Sequence, residues 1–405
     1  MRVLFITGEY PPMQGGVGDY TRELGRALGE SGADVYVLTS TLAGEDYLRL
    51  SGAYEPTVYP LMTTGWSLWG QVTRALEEAK PDVVHVQYQA AAYGMHPAVN
   101  YLPWRLRLQR RRPSFCTTFH DLKVPYLFPK AGPLRWQTIL ALARGSDAVV
   151  ATNPIDWAKA AAAGLAERLH PIPIGSNIDC RPPAAYDRAA QRARWGVGPD
   201  DWLLAYFGFL NANKGGETLV RCLAELVRAG HPARLLMVGG QTGASDPTNV
   251  AYLARVKQLI ADLELSGRVA WTGFTDSEEV TANLLATDCA VLPYREGASL
   301  RHGSLMAALA HGLPIITTLA PESSMTEPLA HNSAFPTLRD GESALLVPAD
   351  DPAATAAAVI RALTESGLAR RLSEGARALS HHFAWNAIAR HHREMYHQVT
   401  GKAGD

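Results

Sequence analysis

The sequence has few cysteines, and their spacing suits neither a disulfide framework nor a metal site. Four are scattered along the 405 residues without a CxxC pair: Cys116, Cys180, Cys222 and Cys289. Small secreted folds and zinc ribbons need denser, patterned cysteines, so the sequence argues against both classes. Three of the four lie in apolar surroundings, as reduced buried thiols do in cytoplasmic proteins. We therefore expect a cytoplasmic protein.

The chain also lacks a long apolar run and an excess of charge of either sign. No apolar stretch reaches the roughly 18 residues of a membrane span. The N-terminal MRVLFITGEYPP has too short an apolar run for a secretory signal, so it predicts a first β-strand. With 38 basic and 39 acidic residues the net charge is −1. A general nucleic-acid binder is excluded, and any basic surface must be local.

The sequence does contain a regular alternation of short apolar runs and longer amphipathic stretches. This alternation predicts parallel α/β sheets with helices on both faces. The predicted strands of the first half are Val3–Thr7, Val35–Leu38, Val83–Val86, Ser114–Phe119, Ala148–Ala151 and Ile172–Ile174. The predicted strands of the second half are Trp202–Tyr206, Arg234–Val238, Val269–Trp271, Cys289–Leu292, Pro314–Thr317 and Ala344–Leu346.

The alternation breaks at residues 180–200, which carry three prolines and two glycines. We therefore predict an N-terminal Rossmann-like domain over 1–182, a linker with a short helix over 183–200, and a C-terminal Rossmann-like domain over 201–383. Sheets of this type bind ligands outside the carboxyl ends of their strands. The predicted fold class is α/β, with two tandem Rossmann-like domains facing across a cleft.

Two candidate segments lie in the first half. Gly15 and Gly16 belong to a glycine-rich loop between the first strand and the first helix, where backbone N–H groups can approach an anion. His120 ends a strand, where it could act in proton transfer or donate to a substrate oxygen. The alternatives are a strand-to-helix loop without a ligand and a structural histidine.

Two further segments lie in the second half. Lys214 precedes a helix directly after the first strand of this half, and a cation with free N–H groups binds phosphate. The loop 293–304 brings hydroxyls, backbone N–H groups and one guanidinium to the start of the helix Leu305–His311, with Ser304 as a candidate N-cap. The alternatives are a surface lysine and a capped surface helix.

Taken together, these segments resemble the family 4 glycosyltransferases, which have the two-domain GT-B fold and use nucleotide sugars. The resemblance covers nearly the whole chain, through GEYPPMQGGVGDYTRELGRAL, the strand end at His120, FGFLNANKGGETLV, the VGG at 238–240, ALAHGLPIITT, DGESALLVPADD and FAWNAIARHHREMY. The order and spacing of the motifs carry it. In this family the last helix crosses back onto the first domain, which assigns 384–399 to the N-terminal half.

The resemblance implies a set of site residues. His120 would lie beside the transferred sugar, and Lys214 would offset the charge that grows on the leaving diphosphate. The residues implied to bind the nucleotide-sugar donor are Gly15, Gly16, Gly208, Glu296, Ser299, Leu300, Arg301, Gly303 and Ser304. The family also implies transfer with retention, and neither a cofactor nor a metal ion.

The chain departs from the family pattern at its donor site. Phe209 stands where the family has Arg after the glycine that corresponds to Gly208, and Arg301 is the candidate replacement. Of the two family glutamates, the second position is Ala307 and the first is Ser299. Glu296 would supply a carboxylate only if the loop were longer.

The sequence therefore predicts a hexosyltransferase that acts from a nucleoside diphosphate sugar on a glycan, lipid-linked or small-molecule acceptor. Two alternatives remain open: a non-catalytic descendant that binds a sugar or nucleotide, and another GT-B enzyme such as a phosphorylase or an epimerase. The basic run Arg105–Arg112 suggests peripheral membrane contact. Its period-two alternation instead favours a solvated helix.

Overall fold

In a computed structural model of the chain, the described residues are 1–13, 15–44, 48–49, 53–109, 112–122, 133–176, 180–240, 247–300, 302–319 and 335–401. The chain forms two compact units. The first comprises Met1–Asn177, His331–Phe335 and Ala384–Asp405, and the second comprises Ile178–Ala330 and Pro336–Phe383. Within the described residues no helix is both long and apolar enough to span a bilayer.

The first unit is built on an eight-stranded sheet. Its strands are β1 (Arg2–Thr7), β2 (Asp34–Ser40), β3 (Leu48–Arg49), β4 (Thr57–Met62), β5 (Val83–Tyr88), β6 (Ser114–Phe119), β7 (Ala148–Ala151) and β8 (Leu169–Pro171). The order is β3-β4-β2-β1-β5-β6-β7-β8, and all neighbours are parallel except the edge pair β3 and β4. Its helices are α1 (Gly16–Glu30), α2 (Leu68–Ala79), α3 (Leu102–Leu106), α4 (Pro133–Gly145) and α5 (Pro154–Ala160).

The second unit is built on a six-stranded sheet of parallel strands. The strands are β9 (Trp202–Phe207), β10 (Ala233–Val238), β11 (Val269–Gly273), β12 (Cys289–Leu292), β13 (Ile315–Thr318) and β14 (Leu345–Val347), in the order β11-β10-β9-β12-β13-β14. The helices are α6 (Arg188–Arg194), α7 (Gly216–Arg228), α8 (Pro247–Asp262), α9 (Ser277–Ala286), α10 (Gly303–Ala310), α11 (Pro352–Thr364) and α12 (Leu368–Ser380). The continuous apolar strands of both sheets are buried because helices cover both faces.

The last helix, α13 (Trp385–Thr400), belongs to the first unit and packs against α1. Tyr396 and Met395 are buried in the core beside Tyr20 of α1. The indole N–H of Trp385 donates to the carbonyl of Ser176 at 2.8 Å. The amphipathic pattern of this helix therefore reflects its docking on the first sheet.

Two predicted features differ in the structure. The strand predicted at Ile172–Ile174 forms three residues earlier, as β8, with Ile172 buried after it. The short helix predicted within the linker 183–200 is present as α6, but these residues belong to the second unit and α6 is bonded into it. Gln191 donates to Asn283 at 2.8 Å, and the buried Arg192 pairs with Asp288 at 3.0 Å.

Candidate functional site

The strand order of the second sheet creates a crevice between β9 and β12. From β9 the chain adds β10 and β11 on one side, and then places β12 on the other. The loops that follow two such strands diverge, so ligands of α/β sheets bind at this point. Both predicted donor segments, around Lys214 and around 293–304, follow these two strands.

The two loops are locked together by their backbones. The N–H of Arg295 donates to the carbonyl of Asn213 at 2.8 Å. Gly215 has φ 69°, and a Cβ there would stand 1.9 Å from the carbonyl oxygen of Pro293, so only glycine permits this approach. The position of Lys214 is thereby fixed relative to the loop after β12.

Lys214 is half-buried beside Gly208, the residue that follows β9. A Cβ at Gly208 would stand 3.0 Å from the Lys214 ammonium and 3.9 Å from the Cβ of Ser304. Gly208 has φ 108°, which other residues rarely adopt. Desolvation lowers the pKa of Lys214 from its usual value of 10.5. The structure therefore brings Gly208, Lys214 and Ser304 together.

Sequence reasoning passed over His302, which completes this cluster. Its ring stacks on Tyr294 with 3.9 Å between the centroids. The Tyr294 hydroxyl in turn lies 2.7 Å from the Ser304 hydroxyl. Burial and the neighbouring charge of Lys214 lower the pKa of His302 to about 4. The only sequence signal was its place directly before the helix start.

The prediction that Ser304 caps α10 is wrong. The helix begins at Gly303, His302 occupies the N-cap position without a side-chain cap bond, and Ser304 is buried against Tyr294. The two buried hydroxyls thereby give each other a hydrogen-bond partner. Gly303 is exposed with open space where a Cβ would be, so the first turn of α10 is accessible.

The other predicted donor residues of this loop divide into three groups. Ser299 bonds to His302 through its backbone, and Leu300 packs against the core of the unit. Glu296 is exposed, and no contact to the cluster joins it within the described part of the chain. Arg301 lies outside the described residues.

Phe209 stands beside the cluster where the family pattern has an arginine. Its side chain is 45% exposed, and its ring lies against Gly240 after β10, where a Cβ would come within 2.6 Å. The hydroxyl of Tyr206 donates to the carbonyl of Phe209 at 3.2 Å. The position is thus filled by an apolar ring that packs on backbone and carries no charge.

His120 lies in the first unit, at the carboxyl end of β6. Its Nε2 donates to Oε1 of Gln87 at 2.9 Å, and Tyr20 meets its ring edge-on at 4.7 Å. Burial, reinforced by the nearby His392, lowers the pKa of His120 to about 3. His120 is therefore a neutral imidazole at physiological pH.

The glycine loop before α1 already contains an anion from the chain itself. Oε1 of Glu9 accepts hydrogen bonds from the N–H groups of Val17 at 2.9 Å and Gly18 at 3.3 Å. A Cβ at Gly15 would stand 2.2–2.4 Å from the Glu9 carboxyl group, whereas Gly16 faces open space. Gly15 therefore makes room for the carboxylate that caps α1.

Two protein-family models match this chain. The model described as "Glycosyl transferase 4-like domain" matches residues 15–175, and the model described as "Glycosyl transferases group 1" matches residues 187–379. The first match lies in the first unit, and the second covers the loops that hold Lys214 and His302. The chain is a family 4 glycosyltransferase.

Curated relatives of this glycosyltransferase are enzymes of the same kind. It is 27% identical over 329 residues to a GDP-mannose-dependent alpha-(1-6)-phosphatidylinositol monomannoside mannosyltransferase of Mycobacterium tuberculosis, covering 78% of this chain and 80% of the relative. It is 29% identical over 235 residues to a D-inositol 3-phosphate glycosyltransferase of Nocardia farcinica, covering 57% and 47%. The enzyme uses a nucleotide-sugar donor.

Solved structures show that the glycosyltransferase has the GT-B fold. The sucrose-phosphate synthase of Thermosynechococcus elongatus aligns over all of both chains with a TM-score of 0.67 at 23% identity. Anabaena HepE in complex with UDP aligns with a TM-score of 0.72 at 17% identity, covering 97% of this chain and 99% of the other.

Proposed function

We propose that this glycosyltransferase moves a hexose from a nucleoside diphosphate sugar, with the diphosphate bound at the switch point of the second sheet. The observation that carries the proposal is the desolvated ammonium of Lys214 beside Gly208 and the accessible start of α10, where the N-cap residue His302 makes no side-chain cap bond. An ammonium and free N–H groups together bind phosphate. Gly303 leaves the approach to those N–H groups open.

In this proposal Lys214 acts on the leaving group. Negative charge grows on the diphosphate as the bond to the sugar breaks, and a fixed cation stabilises that charge more in the transition state than in the ground state. We propose transfer with retention and without a metal ion, so that the charge comes from the protein. Activity should then persist in the presence of EDTA.

His120 is proposed to lie beside the transferred sugar. Because Gln87 holds its Nε2–H, the lone pair at Nδ1 is the group left to accept a hydrogen bond. Its lowered pKa keeps that lone pair available at pH 7. Gly15 and Gly16 are proposed to shape the loop before α1, with Glu9 as its resident anion.

GDP-mannose is the first donor to test, and a lipid-linked or inositol-containing acceptor is the first acceptor class. The relative of 27% identity carries its donor and its acceptor in its name, and it is similar to this chain over 78% of its length. UDP-glucose is the second donor, because HepE has been solved with it. The proposed location is the cytoplasm, in keeping with the buried, unoxidised cysteines Cys116, Cys222 and Cys289.

The test is a donor panel of GDP-mannose, UDP-glucose, UDP-galactose and ADP-glucose. Donor hydrolysis and thermal shift are measured for the wild type and for Lys214→Ala. We expect one donor to be hydrolysed slowly without an acceptor, and hydrolysis to fall with the variant. The proposal fails if no donor stabilises the wild-type protein and none is hydrolysed.

Peripheral membrane contact is a further part of the proposal. The basic face, defined as Tyr101, Trp104, Arg105, Arg107 and Leu108, is exposed throughout, and Leu108 is 80% exposed. The helix α3 ends at Leu106, so the described residues 107–109 and 112 of the run lie outside a helix, and Arg110 and Arg111 lie outside the described residues. The Arg107 guanidinium lies 4.6 Å above the Trp104 ring, and aromatic and basic groups together suit an anionic bilayer interface.

A further inference from the structure

The imidazole of His302 is held in one orientation by two contacts. The backbone N–H of Ser299 donates to Nδ1 at 3.2 Å, and the Ser299 carbonyl accepts from the His302 N–H at 2.8 Å. The ring is stacked on Tyr294, which Ser304 anchors. The loop after β12 therefore fixes both the plane of the ring and its rotation.

This orientation decides which nitrogen carries the proton. Nδ1 accepts a hydrogen bond, so it holds the lone pair, and the neutral ring carries its proton on Nε2. The charged and titratable groups that face the ring are Lys214 and Tyr294. Within the described residues Nε2 has no hydrogen-bond partner. A neutral N–H donor thus stands unused beside the Lys214 ammonium.

We propose that His302 binds the donor diphosphate through its Nε2–H, as a neutral donor next to Lys214. Lys214 would supply the positive charge, and His302 would supply a hydrogen bond of fixed direction. An ammonium can donate in many directions, whereas a fixed imidazole N–H donates in one. The inference deepens the proposed function and rests on it, because it concerns the same donor. It also names a ligand-binding side chain where the family pattern has departed.

Two substitutions separate binding from a purely structural role. In His302→Asn, the side-chain oxygen replaces Nδ1 as acceptor for Ser299 and no group reaches the position of Nε2. In His302→Gln, the amide N–H₂ reaches the position of Nε2 and the acceptor for Ser299 is lost. Dissociation constants for GDP and UDP are measured by calorimetry. Pyrophosphate is the probe for the phosphates alone.

We expect His302→Asn to weaken binding of the nucleoside diphosphate and of pyrophosphate tenfold or more, the size expected for one hydrogen bond to a charged group. His302→Gln should bind within about threefold of the wild type on the same reasoning. The inference is overturned if His302→Asn binds as the wild type does, or if both variants lose the same affinity. Either result would leave His302 as a loop anchor.

A spectroscopic readout keeps the inference distinct from the proposed function. In ¹⁵N-histidine spectra, the signals that His302→Asn removes should show an Nε2–H tautomer, and GDP or UDP should shift them. A resonance that stays unshifted on saturation overturns the inference and leaves the proposed function standing. A wild-type protein that binds no nucleoside diphosphate overturns both.

Discussion

Nε2 of His120 donates to Oε1 of Gln87 across 2.9 Å, and this bond sets the state of the histidine. Both side chains come from the carboxyl ends of adjacent strands, β5 and β6, which the parallel register places side by side. Gln87 is fully buried, so it has little freedom to change partners. His120 is therefore held as a neutral Nε2–H imidazole with its lone pair at Nδ1.

Gln87 is accordingly a positioning residue for His120. Gln87→Leu should lower kcat about tenfold with little change in the KM for the donor, the cost of losing one orienting hydrogen bond. Gln87→Glu keeps the acceptor but adds a negative charge, which raises the pKa of His120. Its kcat should therefore fall on the acid side at a pH where the wild type is still flat. If both variants keep the kcat and the pH profile of the wild type, Gln87 does not position His120.

Lys214→Ala should lower kcat rather than raise KM. A cation on the leaving group acts mainly in the transition state, and the loss of one such group costs roughly 3 kcal/mol, about a hundredfold in rate. Lys257→Ala is the matched control, because that lysine lies over the Trp271 ring on the same unit. Steady-state kinetics with saturating donor decide the matter. Equal rates for Lys214→Ala and the control would make Lys214 a surface charge.

The fold was accessible from sequence because β-strands buried on both faces leave uninterrupted apolar runs. The boundary errors have local causes. Ile172 is buried beyond the end of β8, so its apolar sequence was predicted as a strand although it lies outside one. Strand β4 was not predicted, because Pro60 interrupts its apolar pattern.

The candidate site was only half accessible from sequence. The glycine loops and Lys214 could be predicted, because close approach of the backbone to an anion requires glycine and a phosphate site requires a cation. Both requirements concern residues that are neighbours in the sequence. Glu9 capping α1 was not visible, since its carboxylate reaches eight residues along the chain to Val17. The stacking of His302 on Tyr294 was hidden too, because it depends on how the loop folds back after β12.

Gly303→Val tests the accessible start of α10. A Cβ at Gly303 meets nothing within 4 Å, so valine should leave the fold intact while it fills the space in which a phosphate would approach the N–H groups. We expect the affinity for GDP or UDP to fall about a hundredfold, as when several hydrogen bonds to a charged group are lost. Gly267→Val is the control, since a Cβ there also meets nothing. If the affinity of Gly303→Val for GDP and UDP is unaltered, the phosphate does not bind at the start of α10.

His392 makes the first unit sensitive to acid. Burial lowers its pKa from 6.5 to about 4, and its Nε2 has no partner among the described residues. Between these values the unfolded chain binds more protons, so the free energy of unfolding falls as the pH drops below 6.5, by at most about 1.4 kcal/mol per pH unit.

His392→Leu should therefore flatten this acid response. At pH 7.5 the free energy of unfolding of the variant should lie within about 1 kcal/mol of the wild-type value. The lost hydrogen bond from Nδ1 to the Ile388 carbonyl is offset by removal of an unsatisfied buried nitrogen. At pH 5.5 it should be the more stable protein. Hydrogen exchange of the α13 amides, corrected for intrinsic rates, measures the difference, with His391→Leu as control. Equal acid sensitivity in His392→Leu and the wild type would contradict the assignment.

The basic face should hold the enzyme on anionic vesicles and not on neutral ones. Each arginine near an anionic surface adds about 1 kcal/mol, and that attraction is screened by salt, whereas insertion of the exposed Leu108 and Trp104 is not. We expect the enzyme to sediment with phosphatidylglycerol vesicles at 50 mM salt and to be partly released at 500 mM salt. It should not sediment with phosphatidylcholine vesicles.

Two variants divide the attraction into its parts. Replacing Arg105 and Arg107 together by Gln should weaken binding roughly thirtyfold at low salt, because two such contributions are lost. Leu108→Asp should abolish the binding that remains at high salt, because it puts a charge where an apolar side chain would enter the membrane interface. Arg370→Gln, an exposed arginine of the second unit, is the control and should bind as the wild type does. If the wild type stays in the supernatant with anionic vesicles at low salt, the basic face is a solvated surface and the acceptor must be reached without membrane contact.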